Sequence, residues 1–124
     1  MSEASIALGQ GEAYLSPEFI RNTWYVAAWD HEVGHDGMFT RTLLGEPVVF
    51  YRDSAGRVVA LADKCPHRSA PLSLGRKEGD SVRCMYHGML FNPRGQCTEI
   101  PGQERIAAQH CVKAYPVVER DRFI

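Results

Sequence analysis

Two short stretches constrain this chain more than anything else in it. KCPHRSAP (64–71) and RCMYHG (83–88) each set a cysteine beside a histidine. Cys65-x-His67 is followed, sixteen residues on, by Cys84-x-x-His87. A thiolate and an imidazole this close, fenced by Pro66 and Pro71, are arranged in advance for binding rather than for packing. One such pair cannot close a coordination shell, which asks for about four donors. The fold must therefore bring two loops, each following a strand, to a common point.

The rest of the chain permits that convergence. At 124 residues there is room for one domain with its own core. Hydrophobic residues make up 44% and charged residues 23%, a soluble globular balance. A net charge of −1 with scattered Lys and Arg speaks against a nucleic-acid partner. No stretch approaches the ~18 apolar residues of a membrane span, so no membrane partner is expected. The opening MSEASIALGQGEAYLSPEF lacks the basic-then-apolar layout of a signal peptide. The expected compartment is cytoplasmic, where Cys65, Cys84, Cys97 and Cys111 are not expected to form disulfides.

The pattern of short β-rich runs predicts an all-β fold, an antiparallel sandwich or barrel. The runs are TWYVAAW (23–29), FTRTLL (39–44), EPVVFYR (46–52), RVVALAD (57–63), SVRCMY (81–86), MLFN (89–92) and KAYPVVER (113–120), with RFI at the end a strand that stops almost as it starts. Turn signals separate them at HDG (35–37), Gly45–Glu46–Pro47, DSAG (53–56), EGD (78–80) and PRG (93–95). Residues 1–18, small, polar and Gly-containing, read as a flexible arm, which leaves 19–124 as the domain.

Each of the two loops brings one thiolate and one imidazole. Facing each other, they can give both cysteines to one metal and both histidines to another. That division suits a binuclear iron–sulfur centre with a Cys₂ iron and a His₂ iron. A single Cys₂His₂ zinc is the metal alternative, although zinc modules usually pair like with like where these loops mix ligands. Two unrelated Cys/His pairs is the bland reading, and it leaves the agreement of spacing and turn context to chance.

At these residues the chain resembles the Rieske domain of Rieske-type non-haem iron oxygenases, nearest the aromatic-ring and O-demethylating members typified by vanillate demethylase. The segments that carry the likeness are RNTWYVAAW (21–29), LLGEPVVFYR (43–52), ALADKCPHRSAPLSLG (60–75), CMYHGMLF (84–91), EIPGQ (99–103) and YPVVERDRFI (115–124). The resemblance implies one [2Fe–2S] cluster held by Cys65, His67, Cys84 and His87 in a small subdomain of about residues 62–103 formed by two loops. It also implies a flavin/iron–sulfur reductase or a ferredoxin as electron donor. The acceptor it implies is a mononuclear Fe(II) in a catalytic domain of the same or a neighbouring subunit, in a trimer, with His67 or His87 reaching a carboxylate beside that iron.

High-potential Rieske proteins of respiratory complexes brace their loops with a disulfide whose cysteines would fall at Ala70 and Tyr86. They also set a hydroxyl against a cluster sulfur at the position of Met89. Lacking both, this chain is expected to lie low in the Rieske potential range. Two thiolates and two neutral imidazoles leave an oxidised cluster formally about neutral, against about −2 for four thiolates, so adding an electron meets less repulsion. Each bound histidine keeps a second nitrogen for a proton or a hydrogen bond.

The family's catalytic domain carries two histidines and a carboxylate for the oxygen-activating iron. The expectation is that this chain is the electron-delivering part of an oxygenase and by itself only transfers electrons. A free-standing Rieske-type ferredoxin is the alternative. His31, His35 and Asp36 read as a solvated turn rather than as that triad.

Cys97 and Cys111 read as buried or half-buried thiols and His110 as a loop residue. Trp24, Tyr25, Trp29 and Phe50 are expected in the core because they alternate along predicted strands. Arg68 is open to docking an acidic partner, to tuning the cluster, or to simple exposure. Pro101 and Gly102 resemble a third loop that shields the cluster from water.

Overall fold

The computed structural model describes residues 23–65, 70–85, 88–102 and 110–124. Among them, strands form two four-stranded antiparallel sheets. The first contains β1 (Phe39–Leu43), β2 (Glu46–Arg52), β3 (Val58–Ala62) and β8 (Ala114–Tyr115), in the order β1-β2-β3-β8. The second follows the chain in the order β4 (Arg76–Glu78), β5 (Ser81–Arg83), β6 (Leu90–Phe91), β7 (Cys97–Glu99). The expected all-β antiparallel architecture is what the chain adopts. Among the described residues no helix is long and apolar enough to cross a membrane.

β2 explains why the first sheet is the centre of the molecule. Its run Val48–Val49–Phe50–Tyr51 is continuously β-branched and aromatic, the signature of a strand covered on both faces. Val49 and Tyr51 join Val59 and Leu61 in a core shared with Val82 and Phe91 of the second sheet. Val48 and Phe50 point the other way and join Ala60, Ala27, Ala28, Val33 and Ile124. Alternation along one strand thus feeds two cores.

Polar contacts fasten the sheets further. The Tyr51 hydroxyl donates to Asp80 O at 2.8 Å, and Lys77 Nζ donates to Arg52 O at 2.9 Å and His35 O at 2.8 Å. The Arg52 guanidinium is buried, with every arm occupied. It donates to Val33 O, Asp30 O and Gly56 O and forks onto both carboxylate oxygens of Glu119 at 2.9 Å. That fork holds the Glu119 carboxyl below its ordinary range.

Several sequence expectations need correction. Residues 24–28 form no strand, and the backbone bonds described for them run to Ile124. Ala27 and Ala28 amides donate to Ile124 O, and Ile124 N donates back to Ala28 O. Trp24, Tyr25 and Trp29 are consequently exposed, at 61%, 43% and 48%, and only Phe50 of that group is in a core. Trp29 instead stacks on Phe123, ring centres 4.7 Å apart. Together with residues 115–118, this segment borders a groove of about 640 Å³ whose lining includes no residue of the two Cys/His stretches.

The first hairpin turns at Leu44–Gly45, with φ of 53° and 77°, and not at Gly45–Glu46–Pro47. A two-residue turn with both φ positive matches strand twist, so Pro47 is free to start β2. β8 ends at Tyr115, because Pro116 has no amide to give the ladder. β4 (RKE) and β7 (CTE), short and polar, carry no apolar alternation that would have marked them. The arm assigned to residues 1–18 lies outside the described residues.

Candidate metal centre

Cys65 follows β3 and Cys84 follows β5, and both thiols are fully buried in the core between the sheets. Each begins a loop that closes in the same way. The Cys65 amide donates to Ala70 O at 2.7 Å, and the Cys84 amide donates to Met89 O at 2.8 Å. His67 and His87 fall within these loops by sequence but lie outside the described residues, as do Arg68 and Tyr86. None of the four cysteines, all of them described, forms a disulfide.

Met89 joins the two loops. It is buried at 2% exposure, its Sδ 3.8 Å from the Cys65 Sγ while its carbonyl closes the Cys84 loop. The sequence marked Met89 only as a missing hydroxyl. In the structure it also links the second Cys/His loop to the thiol that opens the first.

The flanks of the first loop are pinned by a pair the sequence did not single out. Buried Asp63 accepts from the Ser73 amide and hydroxyl, both at 2.7 Å, while its own amide donates to Pro47 O at 3.0 Å. Ser73 belongs to a 3-10 turn, Leu72–Leu74, whose Leu72 is fully buried. The chain then passes Gly75 directly against the second loop's approach. A Cβ at Gly75 would meet the Arg83 carbonyl oxygen at 1.9 Å and the Met85 amide at 3.2 Å. No side chain fits between Gly75 and the start of the second loop there.

The second loop is gripped by Arg83, whose side chain is 17% exposed. Its guanidinium donates to Gly88 O at 2.8 Å, to Glu78 at 2.9 and 2.7 Å, and to Glu99 at 3.2 Å. Hydrogen bonding from Arg83, helped by Arg76, pulls the Glu78 carboxyl down to about 2, while the Arg83 guanidinium is pushed further up its basic range. Gly88 has φ of 74°, donates its amide to Cys84 O, and leaves 3.0 Å between a would-be Cβ and the Pro101 ring. Pro101 does approach the second loop, and both Pro101 and Gly102 are exposed.

Elsewhere, Cys97 is buried in β7, and burial pushes its thiol up. Cys111 is exposed, a correction to the expectation of a buried or half-buried thiol, because it pairs only in an isolated bridge with Gln96. His110 is a loop residue whose carbonyl accepts from the Cys97 amide. His31, His35 and Asp36 are exposed, in and after the 3-10 turn Asp30–Glu32, where the His31 ring stacks with Trp29.

The donors described here suit a soft metal group. Two thiols sit buried in one apolar core, each at the start of a loop closed by an amide-to-carbonyl hydrogen bond, and thiolates favour iron–sulfur clusters or zinc.

Comparison with known proteins separates these. The family model of the Rieske [2Fe–2S] domain matches residues 23–116. The iron–sulfur subunit of the toluene-4-sulfonate monooxygenase system of Comamonas testosteroni is 65% identical over 106 residues, 86% of this chain and 30% of that protein. The vanillate O-demethylase oxygenase subunit of a Pseudomonas species is 43% identical over 106 residues, 86% of this chain and 29% of the relative. The crystal structure of dicamba monooxygenase superposes with a TM-score of 0.80 at 43% identity, covering 85% of this chain and 33% of that one. The chain therefore spans about a third or less of the length of these relatives.

Proposed function

The chain belongs to the Rieske [2Fe–2S] domain family, and on that premise we propose that it carries electrons within an oxygenase acting on an aromatic compound, hydroxylating or O-demethylating it. Cys65, His67, Cys84 and His87 hold one [2Fe–2S] cluster within a subdomain of about residues 62–103. The observation that carries the assignment is the matched pair of loops, each starting from a buried cysteine whose amide is closed onto the chain five residues later.

When bound, the cluster supplies a one-electron carrier. The chain's own residues do the rest. Cys65 and Cys84 would hold iron from inside the core, where Leu72, Met89 and Phe91 exclude water. His67 and His87 each keep one ring nitrogen for a proton, so uptake of an electron can be matched by uptake of a proton there. Arg83 and Asp63 hold the loops that carry the ligands.

The donor is a flavin/iron–sulfur reductase or a ferredoxin. The acceptor is a mononuclear Fe(II) in the catalytic domain of the same or a neighbouring subunit of a trimer. A cytoplasmic location agrees with four cysteines that form no disulfide. What supports the oxygenase reading is the set of relatives, whose names give toluene-4-sulfonate monooxygenase, vanillate O-demethylase and dicamba monooxygenase.

The test is iron and acid-labile sulfide analysis with electron paramagnetic resonance on the purified chain. One [2Fe–2S] with a Rieske spectrum, reducible by a flavin-dependent reductase, is the expected result. Zinc without sulfide overturns the assignment.

A further inference from the structure

One guanidinium sits where three segments around the second ligand loop meet. Arg83 ends β5, immediately before Cys84. Its Nη1 donates at 2.8 Å to the carbonyl of Gly88, the residue that follows His87 in the sequence. Its Nε and Nη2 fork onto Glu78 of β4 at 2.9 and 2.7 Å. Nη1 and Nη2 also reach the two carboxylate oxygens of Glu99 at 3.2 and 3.5 Å. Glu99 ends β7 and leads through Ile100 to Pro101, whose ring would stand 3.0 Å from a Cβ at Gly88.

Two properties of the arrangement go beyond bracing. A planar fork with its donors in fixed directions locks the carbonyl it holds, which a flexible ammonium does not do equally well. The charges are also arranged with opposite signs close to the ligands. The guanidinium is mostly shielded from water, while the Glu99 side chain is 52% exposed. A cluster that gains an electron gains negative charge, so it responds to a neighbouring cation and a neighbouring carboxylate in opposite senses.

Resting on the ligand assignment above, we infer that Arg83 is a positioning residue for the histidine side of the cluster, fixing Gly88, the residue after His87, through its carbonyl. With Glu78 and Glu99 it forms a charge group that sets the cluster's electron affinity. Removing the cation leaves two carboxylates beside the second loop and disfavours reduction. Removing the Glu99 charge favours it.

The experiment compares the cluster-loaded wild-type chain with Arg83→Gln, Arg83→Lys and Glu99→Gln. Iron and acid-labile sulfide are measured first and midpoint potentials second. Arg83→Gln is expected to lower the potential and Glu99→Gln to raise it, each by roughly a three- to tenfold change in the oxidised-to-reduced ratio at fixed ambient potential. Arg83→Lys, which keeps the charge without the fork, is expected to recover the potential while broadening the paramagnetic resonance of the reduced cluster. A purely structural Arg83 would weaken cluster retention without opposite shifts in potential. Glu99→Gln, altered on an exposed carboxylate, decides the sign even if Arg83→Gln does not fold. Iron-loaded proteins whose potentials stay unmoved or shift in the same direction overturn this inference alone. A wild-type chain without iron and sulfide overturns the ligand assignment and the inference with it.

Discussion

The Met89 sulfur lies 3.8 Å from the Cys65 sulfur, so the residue that closes the second Cys/His loop touches the thiol that opens the first. Met89→Ser is expected to act in two ways. A hydroxyl near the ligand sulfurs stabilises the reduced, more negative cluster, and about 1 kcal/mol of such stabilisation is about 40 mV for a one-electron couple. Removing a buried thioether costs stability, about 2–5 kcal/mol for comparable truncations. Protein-film voltammetry is expected to show a rise from a wild-type value near the low end of the Rieske range, roughly −150 mV. Thermal denaturation is expected to show a lower Tm. A wild-type value near +300 mV would contradict the oxygenase reading.

Cys84→Ser is expected to give a colourless protein without acid-labile sulfide. Its buried thiol is one of two sulfurs offered from facing loops, and one thiolate cannot replace the pair. Visible absorption and iron analysis check this, with Cys97→Ser as a control that keeps its colour.

Gly75→Ala tests how closely the chain at Gly75 passes the start of the second loop. Its Cβ would stand 1.9 Å from the Arg83 carbonyl oxygen, a backbone atom that cannot swing aside. The expected cost is about 1–3 kcal/mol or more, read by urea denaturation of the cluster-loaded protein. Gly37→Ala is a milder control, because at Gly37 a Cβ meets nothing within 4 Å and only its positive φ is penalised.

Acid should weaken the Arg52–Glu119 clamp. The Glu119 carboxyl titrates lower in the folded chain than in the unfolded one. Its contribution is therefore complete above the ordinary carboxylate value and is lost as pH falls through the lowered, folded value. Glu119→Gln is expected to flatten the loss of stability between about pH 5 and pH 3 relative to wild type, measured by denaturant midpoints across that window. Equal slopes would show that the clamp contributes nothing to the acid transition.

The strands with strong apolar character were legible from residues alone. EPVVFYR is β2 from end to end, and the cores on its two faces follow from its unbroken run. TWYVAAW misled because alternation reports an extended backbone without reporting what covers either face. At the site, the Cys/His spacing located both loops. It gave no sign of Arg83, Asp63 or Gly75, whose importance comes from partners brought near by folding. An arginine before a cysteine looks like any other until Glu78 and Glu99 arrive beside it.

The two ligand loops differ in where their ends are rooted. Residues 84–89 close a hairpin between neighbouring strands, whereas residues 65–70 lie on the passage from one sheet to the other. The hairpin needs only local contacts and can form on a microsecond timescale, while the crossing must wait for both sheets to dock. Contacts local in sequence therefore suffice to root the second loop, while the first depends on how the two sheets meet.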